Sequence, residues 1–172
     1  MFLELIATIF AGFAVAGVVM LIGRASGGRL PKWLAPVAAG LAMIAVTISS
    51  EYGWYERTRA ALPEGVLVAE TGENRSLYRP WTYAVPFVER FAAIETATAK
   101  SHPDLPGHYI TEVYFFGRWA PVSSLPVRLD CTRWRRAVVA SDAALGAGDD
   151  SGIEWIFPPE DDGLLATFCG AV

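Results

Sequence analysis

Two uncharged apolar stretches stand within the first fifty residues, Leu5 to Gly23 and about Leu34 to Ser50, separated by a short basic loop. Between Glu4 and Glu51 there is no acidic residue, and the only charges are Arg24, Arg29 and Lys32. Each stretch needs apolar surroundings, which in a soluble protein the remaining chain must supply as a core. A bilayer supplies them directly. At a rise of about 1.5 Å per residue, roughly 19 to 20 residues cross a hydrocarbon layer of about 30 Å. The first stretch meets that length unaided. The second is extended by Trp33 at one end and by Tyr52, Trp54 and Tyr55 at the other, amphipathic rings of the kind enriched at the membrane interface. Pro36 falls in the first turn of the second helix, where its missing N–H costs little.

The sequence therefore predicts a transmembrane helical hairpin over residues 1–55, with spans at about 5–23 and 33–50 and a basic loop at 24–32. A second domain follows over 56–172. Three positive charges in the short connector favour the cytoplasmic side. Both ends then lie outside, with the C-terminal domain in the periplasm of a bacterial inner membrane. The start, Met1-Phe2-Leu3-Glu4, carries no positive side chain, unlike the n-region of a cleaved signal peptide. Small residues recur at four-residue spacing, Ala7 with Ala11 and Gly12 with Ala16, then Ala35 with Ala39 and Ala38 with Ala42. Such spacing lets helices approach closely in lipid, either within the hairpin or against another membrane subunit.

Past Tyr55 the composition becomes that of an ordinary globular domain. The chain carries a net charge of −4, which argues against nucleic acid, since phosphate binding needs a basic surplus. Glu56 to Ala61 is expected to continue the second helix until Pro63 and Gly65 stop it. Strands are expected at Gly65–Glu70, at Leu77–Val85 as an edge strand interrupted by Pro80, at His108–Trp119, at Pro126–Thr132 and at Ala137–Ala140. The end reads as a hairpin, Ile153–Phe157 and Leu164–Cys169, about a turn through residues 158–163. Phe87–Lys100 carries both periods, because Phe87, Phe91 and Ile94 have helical spacing while Thr96 and Thr98 alternate. The fold class expected is membrane-anchored α+β, with a small, mostly antiparallel β domain outside the membrane.

The two cysteines, Cys131 and Cys169, both lie in this domain. An extracytoplasmic location favours a disulfide between them, closing a loop of about 38 residues and stabilising by roughly 3 to 4 kcal/mol on the chain-entropy model. Arginine recurs beside or near tryptophan in Arg133-Trp134-Arg135-Arg136, in Arg118-Trp119 and in Arg79-Pro80-Trp81. Such pairs make cation–π contacts and suit anionic headgroups or glycan phosphates; the plainer alternative is a turn in which each guanidinium stacks on its own indole. Arg133, Trp134, Arg135 and Arg136 form the candidate interaction surface.

Other chemistry is thin. His102 and His108 with Asp104 or Glu112 match no established zinc spacing. Asp149-Asp150 and Glu160-Asp161-Asp162 lack the alternating ligand pattern of a calcium loop. There is no G-x-S-x-G elbow, no C-x-x-C and no P-loop. No catalytic residue, metal site or cofactor is assigned. The function expected is a non-catalytic accessory or assembly subunit of a cell-envelope complex, with membrane lipid and another membrane or periplasmic protein as partners. The alternatives are a binding module for an anionic lipid headgroup or glycan, and an envelope hydrolase.

Overall fold

The computed structural model describes residues 2–77, 79–101, 105–139 and 153–172. The chain divides into two compact units, Met1–Glu56 and Arg57–Val172. Two long apolar helices open it: α1, Phe2–Ala25, and α2, Leu34–Ala60. Within the first unit they are antiparallel neighbours. The Ser50 hydroxyl donates to Glu4 Oε1 at 2.7 Å, and Met43 lies where a Cβ on Gly12 would have to go. Gly12 thus serves the close approach of these two helices rather than an outside face. Both helices are long and apolar enough to cross a membrane, and 6% of the apolar window of each is buried. The loop between them turns through Gly27 and Gly28, both with positive φ, a conformation that glycine adopts without a Cβ penalty.

The second unit is an antiparallel sheet with one helix on it. Its strands are β1 (Val66–Asn74), β2 (Phe87–Glu95), β3 (Lys100–Ser101), β4 (His108–Gly117), β5 (Ala120–Asp130) and β6 (Arg135–Val138), followed by α3 (Gly163–Ala171). The order is β1-β2-β4-β5-β6, and the short β3 pairs with β4 alongside the end of β2. The Thr111 hydroxyl bridges the break between β2 and β3 by donating to the Glu95 carbonyl. Phe87–Glu95 is a strand because Phe91, Ala92, Ala93 and Ile94 are all buried. A strand covered on both faces loses its alternation, which is why its period was ambiguous.

One face of the sheet supplies Ala92, Ile94, Val113, Val127 and Leu129, and α3 lays Leu164, Leu165 and Phe168 on it. Here the structure corrects the expected C-terminal hairpin. Leu164–Cys169 is helical: its apolar residues fall at helical spacing, and Asp162 caps the helix by accepting from the Leu165 N–H at 3.0 Å, a strong N-terminal signal. Ile153–Phe157 contributes only a two-bond bridge, Ile156 with Arg136. Leu77–Val85 is also not an edge strand, since Pro80 opens a 3₁₀ turn at Pro80–Tyr83. A Cβ on Gly163 would collide with the Ala69 carbonyl oxygen on β1. Gly163→Ala is therefore expected to push α3 off the sheet and cost about 1–3 kcal/mol, read as a lowered melting temperature of the full chain.

Candidate functional site

The arginine-rich segment Arg133–Arg136 forms the turn and first strand residues after β5, and its geometry starts with Asp130. That residue is fully buried. Its Oδ1 accepts from the backbone N–H groups of Thr132 and Arg133 at 3.1 and 3.0 Å, so its side chain builds the turn. Trp134 closes the turn in the left-handed region, at φ 50°. The chain then reverses with Arg135 opposite Asp130 in the register, and Arg135 Nε donates to Asp130 Oδ2 at 2.7 Å.

A buried polar cluster results on the face opposite α3. His108 on β4 reaches Asp130 Oδ2 with Nε2 at 3.3 Å. The Trp155 ring covers the group: Arg135 stacks on it with its guanidinium carbon 4.0 Å from the centroid, Arg128 lies at 5.6 Å, and the His108 ring meets it edge-on. Arg128 is 1% exposed. Burial alone would push the Asp130 carboxyl up. The hydrogen bond from Arg135, the N–H of Arg133 and the electrostatic interaction with His108 and Arg135 outweigh it and hold the carboxyl below its ordinary value.

The four residues of the candidate surface do not share one face. Of the four, only Arg133 is exposed. Trp134 donates from Nε1 to the Pro159 carbonyl at 3.0 Å, Arg135 is buried against Asp130 and Trp155, and Arg136 pairs with Asp162 at 3.1 Å. Three of the four thus hold the segment that leads into α3, and Asp162 in turn caps that helix. Cys131, at the start of the same turn, is joined by a disulfide to Cys169 on α3, with Cα atoms 5.8 Å apart. Turn, strand edge and helix are tied into one corner.

The remaining candidates separate. His102, Asp104, Asp149 and Asp150 lie outside the described residues, while His108 is buried at the start of β4. Among the described residues, no three His, Cys, Asp or Glu side chains group as metal ligands. A depression of about 330 Å³ is lined by Glu70, Gly72, Arg90, Phe91, Ala92 and Phe115. A smaller one, about 150 Å³, has Glu95, Lys100, Thr111 and Glu112 among its lining residues. Nearby Tyr114 is pushed above its ordinary value by burial and then by Glu112 and Glu95, whose charges disfavour a phenolate.

Sequence reasoning missed Trp155 and Asp162 as organisers of this corner. Asp162 had a legible signal, an acid directly before a run with helical spacing. Trp155 had none, because its role depends on which arginines the strand register places beneath it. Comparison with protein-family models, with curated proteins and with solved structures returns no match.

Proposed function

We propose that this protein is a non-catalytic, membrane-anchored subunit that presents its C-terminal domain on the extracytoplasmic side of a bacterial inner membrane and holds a partner protein there. The observation carrying this reading is the bareness of the two long apolar helices. A core helix of a soluble protein is mostly covered by its own chain, whereas 6% of each apolar window is buried here. Exposing that much apolar surface to water opposes folding, and lipid removes the penalty. The disulfide supports an oxidising compartment for the domain, in agreement with the positive charges Arg24, Arg29 and Lys32 in the connector. The corner built from Asp130, Arg135, Trp155 and the disulfide supports a structural role for the arginine-rich segment.

Membranes washed with alkaline carbonate are expected to retain the protein in the pellet; release into the supernatant would refute the anchor. Affinity purification in mild detergent followed by mass spectrometry should then recover a stoichiometric membrane or periplasmic protein. Recovery of the chain alone, from membranes that retain it, would refute the subunit role while leaving the anchor standing.

A further inference from the structure

One end of the sheet differs in character from the buried corner. There β1 finishes at Asn74, β2 begins at Phe87, and β4 turns into β5 between Gly117 and Ala120. The residues that decorate this end are apolar and exposed: Leu77 is 88% exposed, Trp119 and Val122 58%, Tyr83 54% and Trp81 45%.

These side chains stand out from an ordered scaffold. Thr82, between Trp81 and Tyr83, is fully buried; its hydroxyl donates to the Arg79 carbonyl at 2.7 Å and accepts from the Ser76 N–H at 3.0 Å. The Ser76 hydroxyl donates to Asn74 Oδ1 at 2.7 Å, and the Asn74 amide donates to Glu89 on β2. The neighbouring turn is bonded to the same strand through the Arg118 N–H and the Glu89 carbonyl, at 2.9 Å. With Thr82 turned inward, Trp81 and Tyr83 are held on the outside.

Charge at this end also departs from the rest of the domain. Residues 73–90 and 117–122 carry four arginines, Arg75, Arg79, Arg90 and Arg118, against two glutamates, whereas residues 57–172 as a whole are acidic. The Arg118 guanidinium lies over the Trp119 ring at 5.1 Å, and Arg79 lies over Phe87 at 5.9 Å. Of the three arginine–tryptophan motifs in the chain, two therefore lie at one sheet end, and the third forms the turn of the corner with Arg133 alone exposed. Tryptophan, tyrosine and arginine around aliphatic tips is the composition that partitions to the headgroup level of a bilayer.

We infer that this sheet end, through Leu77, Trp81, Tyr83, Trp119 and Val122, seats in the headgroup layer of an anionic membrane. The inference rests on the anchored reading above, because a bilayer tethered by α1 and α2 is the lipid surface always at hand. Seating would remove the exposed apolar tips from water and set the net positive charge of this end against lipid phosphates.

The test uses the full chain, disulfide intact, in nanodiscs of mixed phosphatidylethanolamine and phosphatidylglycerol. Single substitutions Trp81→Cys, Trp119→Cys and Val138→Cys carry an environment-sensitive fluorophore, and lipids spin-labelled near the headgroup act as quencher. Val138 is equally exposed but pairs with Val127, which lies opposite Thr111 on β4, roughly 20 Å along the strand from Gly117 at about 3.3 Å per residue. Emission at positions 81 and 119 is expected to shift to the blue and to be quenched about two-fold or more by headgroup-level labels, with position 138 unchanged. Equal, unquenched emission at all three positions would overturn the inference. Leu77→Cys, at a site with almost no packing to lose, repeats the measurement should either tryptophan variant misfold. Carbonate extraction of the same variants reads the anchor separately: release defeats the anchored reading, whereas retention with unquenched probes defeats the seating alone.

Discussion

Asp130→Ala is expected to destabilise the domain by about 3–5 kcal/mol, the usual cost of removing one partner from a buried ion pair. The substitution leaves Arg135 buried and takes away the acceptor for the Thr132 and Arg133 N–H groups. Asp130→Asn keeps an acceptor for the turn and loses the charge, so its cost should be smaller. The two variants separate the turn from the ion pair.

The same residue sets an acid limit. Since folding lowers the Asp130 pKa, its contribution is fully present above the ordinary carboxylate value and is lost as pH falls through the folded one. Thermal unfolding followed by tryptophan fluorescence should show melting temperature dropping below about pH 4 in the native chain, with a flatter acid limb in Asp130→Asn. If Asp130→Ala melted within about 1 kcal/mol of the native chain and kept its acid limb, the corner would not depend on this carboxylate.

Removing the disulfide is the other change of comparable size. A bond between residues 38 apart restricts the unfolded chain by roughly 3 to 4 kcal/mol, a large part of the stability of a small domain. Replacing Cys131 and Cys169 together by serine, or reducing the native chain, is expected to free α3 from the turn after β5. Proteolysis of the full chain in membranes should then begin at residues 153–172. Unchanged protease resistance on reduction would mean that packing of Leu165 and Phe168 alone holds the helix. Alkylation of intact membranes before lysis adds a compartment test: two trapped free thiols would contradict an extracytoplasmic domain.

Much of the architecture is legible without coordinates because it rests on local rules. Unbroken apolar length set out α1 and α2, and the stop of α2 at Ala60 follows from Pro63 and Gly65 just beyond. Alternation marked β4, and in β5 it was visible only over the later half, from Pro126 onward. It fails at Phe87–Glu95, where both faces are covered, and at Leu77–Val85, where proline and Thr82 favour a turn. At Leu164–Cys169 a short apolar run served either period, and the Asp162 cap decided for helix.

The candidate surface was legible as a motif but not as a place. Arg133 to Arg136 are adjacent in sequence, yet a strand sends neighbours to opposite faces. Arg135 consequently goes under Trp155 while Arg136 goes to Asp162. The cysteine pair was readable from its number and from the compartment expected for the domain, but its mechanical role came from the fold, which brings the Cα atoms of a turn and a helix to within 5.8 Å.

By itself the sequence determined the two long apolar helices, the antiparallel character of the domain and the identity of the paired cysteines, because length, polarity and parity are properties of the chain. Only the tertiary structure decided which arginines face inward and which sheet end keeps its aromatic residues exposed. Register and packing join residues far apart in the chain, and no local pattern encodes that partnership.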